Sequence, residues 1–280
     1  MIEQLAQFVP YAGNTHNLQW RKSPESKWYM DTIRAVNARG ERNETTQGFY
    51  IIDAAGGAYG WNNNRDLQRV LDFMKAGLES YRAAAPKIDA VSVQDDGIPD
   101  PPPGTVVLRI YQRITPLPKG APPENEAVQR DHFWLLRSEI EALAAGEVAE
   151  SLQLRLCRFV FNDAVRGEPD MWQVNEVRKR SFKATRAGDS VTIEGSFAMH
   201  TDDKRRALQG KLTAKVRLAG DEVADFKGFA DATAWGRSTH TPNEPAGKFP
   251  IKFAFVMAPK SKDTVAPQAT FFGPNYLTGR

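Results

Sequence analysis

Cysteine is almost missing from this chain: Cys157 is the single one in 280 residues. One thiol excludes an intrachain disulfide, a cysteine-based zinc site and dithiol redox chemistry. Histidine is scarce too. His16, His132, His200 and His240 fall in no His-x-x-x-His spacing, so no helical metal pair is encoded. No hydrophobic run approaches the roughly 20 residues needed to span a bilayer. A dominant charge sign is also lacking, because 37 basic and 34 acidic residues are interspersed to a net +3. That balance argues for neither a nucleic-acid nor a membrane partner. The start of the chain shows no basic n-region and no apolar h-region, so the expected location is cytoplasmic, or exported if an upstream signal was removed. There is no Gly-x-Ser-x-Gly elbow, and Gly56, Gly57 and Gly60 do not make a Gly-x-Gly-x-x-Gly fingerprint. No metal and no cofactor is expected.

What is present is a chain of ordinary globular composition, 41% hydrophobic and 25% charged. The run Pro99-Asp100-Pro101-Pro102-Pro103-Gly104 divides it, since proline favours extended backbone and removes amide donors. The pattern assigns residues 1–84 to a small α/β module, 85–104 to a proline-rich linker and 105–280 to an antiparallel β-rich domain. In the first part, Phe8 to Ala12 reads as a strand. Ser23-Pro24-Glu25 starts a helix, and Gln47 to Asp53 pairs with Ala58 to Trp61 across a glycine turn. A second helix follows Asn64, with Leu67, Val70, Leu71, Met74 and Leu78 at helical spacing.

Beyond the prolines, Val106 to Ile114 reads as a strand, and Ser138 to Glu141 as a capping box opening a short helix that ends near Gly146. The predicted strands then run Leu152–Phe161, Trp172–Arg186, Ser190–His200, Lys211–Leu218, Val223–Trp235 and Phe249–Met257, with hairpin turns at Gly188 and Gly220. So many strands on short turns predict an antiparallel barrel or sandwich. Cys157, within an apolar strand-like run, is expected to be buried and inert. The basic clusters Arg178-Lys179-Arg180 and Lys204-Arg205-Arg206 are read as a solvated strand edge and a hairpin loop.

The order strand, helix, hairpin, helix across residues 8–82, with Thr46 to Gly56 at its centre, resembles the C-terminal portion of a thioredoxin-like fold. The whole chain resembles a group of uncharacterised bacterial proteins in which such a module precedes a β-rich domain. The matching stretches are Gln47-Gly48-Phe49-Tyr50, Asn162-Asp163-Ala164-Val165-Arg166-Gly167 and Thr233-Ala234-Trp235-Gly236. Active thioredoxins carry Cys-x-x-Cys at the start of a long helix. This chain has no cysteine before Cys157 and no proline in residues 37–47, so the resemblance implies a redox-inactive module.

Two sets of side chains could carry chemistry. Glu194, His200, Asp231 and His240 would serve as acid/base groups if they converged in a cleft, although Glu194, Ser196 and His200 also fit a solvent-facing polar stripe. Trp235, Arg237 and His240 open a long polar loop that offers an aromatic platform, a cation and a group titrating near neutrality. Gly236, directly after the tryptophan, would admit close approach of another backbone. The aromatic tail from Phe271 to Leu277 would dock on a groove or on a second copy of the chain. The leading expectation is a non-catalytic binding or scaffold protein for a small molecule or a protein. The alternatives are an enzyme with an acid/base pocket in the C-terminal domain and a subunit interaction module acting through the tail.

Overall fold

The computed structural model describes residues 2–9, 18, 24–36, 48–64, 66–86, 100–241, 243–258, 266–272 and 274–280. The chain divides into two compact units, Met1–Ile98 and Pro99–Arg280. The fold is α+β, dominated by a 7-stranded antiparallel sheet. Among the described residues no helix is long and apolar enough to cross a membrane.

The first unit holds α1 (Ile2–Leu5), α2 (Pro24–Val36), an antiparallel hairpin of β1 (Phe49–Ile52) and β2 (Ala58–Asn62), and α3 (Leu67–Ala84). The hairpin turn is organised by Asp53, whose Oδ1 accepts from the amides of Ala55 (2.8 Å) and Gly57 (2.9 Å). Its Oδ2 accepts from the Tyr59 hydroxyl at 2.5 Å. That bond holds the Asp53 carboxyl below its ordinary range and pushes the Tyr59 phenol up to about 12. Asp66 caps α3 by accepting from the Arg69 amide at 3.0 Å. The predicted strand at 8–12 is not formed where it can be followed: Phe8 and Val9 lie outside any strand, and Val9 is 94% exposed. Residues 10–12 lie outside the described residues, as do Ser23, His16 and positions 87–99 of the predicted linker.

The second unit begins with the end of the proline run folded back as a turn, the Thr105 amide donating to the Pro102 carbonyl at 3.1 Å. Its strands are β3 (Val106–Ile114), β4 (Gln129–Leu135), β5 (Val177–Ala187), β6 (Ser190–His200), β7 (Ala207–Ala219), β8 (Glu222–Trp235) and β9 (Phe249–Met257). They lie in the order β4-β3-β9-β8-β7-β6-β5. The β5–β6 and β7–β8 hairpins turn on Gly188 (φ +64°) and Gly220 (φ +63°), the left-handed conformation that two-residue loops require. Strand alternation sends Val191, Ile193, Leu212, Ala214, Phe253 and Phe255 to a buried inner face.

The sheet is open, with β4 and β5 as its two edges, so the expected barrel or sandwich is replaced by one layer of strands with helices against it. The cause lies in residues 152–161, which were expected to add a strand. They form α5 (Glu150–Arg155) and a π-helical segment, Leu156–Val160, closed by the Phe161 amide on the Leu156 carbonyl at 2.9 Å. Leu152, Leu154 and Leu156 imitate strand alternation, but the segment is buried on nearly every side. Periodicity then loses its meaning, and a helix alone satisfies its own backbone. Phe161 stacks on Phe197 with ring centroids 3.8 Å apart, filling the sheet's inner face where a second sheet would have lain. The other predicted strand to be shortened is Trp172–Arg186. It starts only at Val177, after a 3₁₀ turn, Val174–Glu176, that follows the buried Trp172.

The helix after β4 is α4 (Arg137–Ala144). Its cap is not Ser138: the Glu139 carboxylate accepts from the Leu136 amide at 3.0 Å instead. Glu139 also accepts from Ser151 (3.1 Å) and from Arg155 (2.8 Å to each oxygen), and both Glu139 and Arg155 are 0% exposed. Arg155 further donates to the carbonyls of Trp134 and Tyr276, each at 2.8 Å. The tail is thereby held in its own unit. Tyr276 is 1% exposed and accepts from the Trp134 amide at 3.1 Å, while Arg158 donates to the Gly279 carbonyl at 2.8 Å. Tyr276 thus docks within its own unit, the first of the two placements expected for the tail.

Two measurements check this core. Arg155→Ala should lower the unfolding free energy by about 3–5 kcal/mol in a denaturant titration, because it strands a buried carboxylate. Glu139→Leu combined with Arg155→Met should recover much of that loss, and a double variant as unstable as their separate losses summed would show the pair is not one unit. Cys157 is 0% exposed and burial pushes its thiol up to about 12. Its labelling by a thiol reagent at neutral pH should therefore track global unfolding across denaturant, and immediate native-state labelling would contradict the buried placement.

Candidate functional site

The loop after β8 is built on Arg166. This guanidinium, 2% exposed at the side chain, donates through Nε to Asp163 Oδ2 at 2.5 Å. Through Nη1 it reaches the Thr241 carbonyl (2.9 Å), and through Nη2 the Gly236 carbonyl (2.8 Å). The segments 162–167 and 233–236, far apart in sequence, thus meet through one buried arginine. Neighbouring Arg206 lies over the Trp172 ring at 3.9 Å and donates to Asn162 Oδ1 at 2.9 Å. It is half-buried rather than a solvated hairpin residue, and desolvation lowers its guanidinium from the ordinary value. Gly236 (φ +76°) lets the chain pass the hairpin before β7, since a Cβ there would stand 1.8 Å from the Arg205 carbonyl oxygen.

Around this core the expected ligand-binding residues are dispersed. Trp235 is half-buried and donates through Nε1 to the Lys204 carbonyl at 3.1 Å, with Lys248 Nζ 4.7 Å from its ring centroid. It lies against the hairpin that precedes β7. Arg237 is exposed and 3.8 Å from Glu244. His240 is exposed, and it is its backbone carbonyl that holds the loop, accepting from the Glu168 amide at 3.2 Å. The void beside Trp235, lined by Asp163, Arg166, Trp172, Arg206 and Thr241, has a volume of about 10 Å³. That is room for one water beside Asp163 Oδ1, which has no protein partner there.

The expected acid/base groups do not converge. Asp231 pairs with Lys252 at 3.1 Å. Glu194 stands opposite Lys183 and Thr213, and one ring nitrogen of His200 contacts the Thr201 carbonyl at 2.8 Å. Among the described residues, no hydrogen bond or ion pair joins any two of Glu194, His200, Asp231 and His240, and no three His, Cys, Asp or Glu side chains gather as a metal-holding group. A larger groove of about 340 Å³ lies between β3 and α4, lined by Thr105, Val107, Arg137, Ile140, Glu222 and Met257. Its cation, Arg137, is already bound to Glu141 (2.8 Å) and to the Asp221 carbonyl (3.1 Å).

The distinctive surface is the outer face of the sheet. Register places Arg113, Lys252, Asp231 and Lys211 in one cross-strand row, and Arg109, Val256, Lys227 and Lys215 in another. Between them runs Tyr111, Ala254, Phe229, Thr213, Glu194 and Lys183. Cations outnumber carboxylates, and among the described residues Arg113, Lys211 and Lys215 have no carboxylate partner. Phe229 is 44% exposed, with Lys252 Nζ 5.5 Å from its ring centroid, and Val256 is 36% exposed. The alternation of Lys211, Thr213, Lys215 and Arg217 already marks one strand as water-facing. What it cannot say is that neighbouring strands bring their own cations into line.

No family model, curated protein or solved structure matches the chain. The loop geometry itself is open to test. Gly236→Ala should cost about 2–4 kcal/mol, combining a left-handed backbone strain with a backbone clash. His240→Ala should leave the denaturation midpoint within about 0.5 kcal/mol of wild type, because only its carbonyl is structural. A neutral Gly236→Ala would mean that the hairpin and loop do not pass so closely.

Proposed function

We propose that the chain is a non-catalytic binding protein whose seven-stranded sheet takes an anionic partner on its outer face. The observation that carries this reading is the alignment of charge: lysines and arginines from β3, β7, β8 and β9 line up across an exposed face, where Lys252 pairs with Asp231 and Lys227 with Asp225 while Arg113, Lys211 and Lys215 have no carboxylate partner among the described residues. Opposite charges dispersed over a surface nearly cancel, whereas an excess of cations in two rows of one face sets up a potential that attracts a polyanion. The dispersal of Glu194, His200, Asp231 and His240 supports binding over acid/base catalysis.

In this reading Met1–Ile98 is a redox-inactive thioredoxin-like module. Its support is the order of helix, antiparallel hairpin and helix, in which Gly60 faces Phe73 and Gly77 faces Ile51, with the only cysteine of the chain in the other unit. The loop at Trp235, Arg237 and His240 is then a rim of the sheet, not the binding centre.

The reading is tested with inorganic polyphosphate and full-length protein. Binding should be measurable at low salt and fall steeply as salt rises. Lys211→Glu with Lys215→Glu should abolish it, while the same change in net charge on α3, Arg69→Glu with Lys75→Glu, should leave it within about twofold. Equal loss from both pairs would reduce the effect to net charge and remove the face from the argument.

A further inference from the structure

We infer that the occupant of the outer face is a single-stranded nucleic acid, its phosphates on the cation rows and its bases on Phe229 and Tyr111; this rests on the anionic-partner reading above and names its substrate class.

The cation rows fit any polyanion, and the row between them narrows the choice. Phe229 stands exposed at the middle of the face, on a central strand where an apolar side chain of that size would ordinarily be turned inward. Tyr111, half-buried, lies in the same cross-strand row, separated from Phe229 by the small Ala254. Two strand spacings put the two side chains about 10 Å apart. That leaves space above Ala254 and gives each ring its own base. Splayed bases stack on exposed aromatic rings, and the backbone tracks the cations beside them, which is how open sheets hold single strands.

Two competitors fit less well. A double helix keeps its bases stacked inside, so it would use the cations and leave Phe229 idle. An acidic peptide added as a strand needs unpaired backbone groups, which a sheet offers at its edges and not on its face. The overall charge of +3 argues against a nucleic acid only because it counts residues without their positions. On this face the cations outnumber the carboxylates, and Arg113, Lys211 and Lys215 are left without a carboxylate partner among the described residues.

The experiment is fluorescence anisotropy with the full-length protein and a labelled oligothymidylate of about a dozen nucleotides, a site size within reach of one sheet. With Arg113, Lys211 and Lys215 each contacting one phosphate, the log–log salt slope should be about −2. Phe229→Ala should weaken oligonucleotide binding about five- to a hundredfold, the range expected for losing one stacked base. Phe229→Trp should restore it, and neither change should alter polyphosphate binding. Because Phe229 is exposed, both variants should keep the wild-type melting temperature. If folding of Phe229→Ala suffers, Phe229→Leu keeps the apolar contacts and loses the stacking. Duplex of the same length should bind more weakly than the single strand.

Equal affinity for duplex, polyphosphate and oligonucleotide, with Phe229→Ala neutral, would overturn the nucleic-acid assignment and leave the anionic-partner reading standing. An acidic peptide that binds at low salt and outcompetes the oligonucleotide would do the same. No binding of polyphosphate or oligonucleotide at about 50 mM salt would overturn both.

Discussion

The second unit depends on one buried ion pair. Arg155 and Glu139 have no access to solvent, and a charge in that position survives only when it is paired and hydrogen-bonded. Arg155 bridges α4, the end of β4 and the C-terminal tail through Glu139 and the carbonyls of Trp134 and Tyr276. Three pieces of chain from different parts of the sequence are therefore placed by a single guanidinium. The Phe133 and Tyr276 rings, each 4.6 Å from it, close off the remaining sides. Arg158 repeats the device one turn later, holding the Trp172 and Gly279 carbonyls at 2.7 and 2.8 Å.

Where the helices sit decides which face of the sheet is left open. With α5 and its π-helical extension packed on the inner face through Phe161, and the tail wrapped against β4, the sheet needs no second sheet to bury its apolar side. The other side is free to be polar across its whole width. A sandwich would have used both faces of its strands differently, hiding one and scattering the other. The open arrangement turns seven short alternating patterns into one extended surface, whose cations are individually ordinary and act through their alignment beside the exposed Phe229.

The Arg166 cluster shows the same economy at the far end of the sheet. Its three donors join Asp163 to the carbonyls of Gly236 and Thr241, so the polar loop is held to residues 163–166 through its backbone carbonyls. Arg237 and His240 are left on the outside of that structure, exposed and separate.

Strands β3, β6, β7, β8 and β9 were legible in the sequence because each has one buried and one wet face, and period-two alternation records that directly. The helix starting at Pro24 and the hairpin at Gly56 were legible for similarly local reasons, a cap and a turn glycine. Residues 152–161 were misread as a strand because a segment buried on all sides carries no period to read. The outer-face cations were not legible for a related reason. Composition and local motifs pointed to Trp235, Arg237 and His240, the polar residues crowded in sequence, whereas the cations of the outer face are single residues spaced along separate strands. What the sequence determined by itself is which positions of each strand face water. Only the tertiary structure decided which strands stand side by side, because register and neighbour order arise from burying the inner face around Phe161 and Arg155, contacts that no local pattern contains.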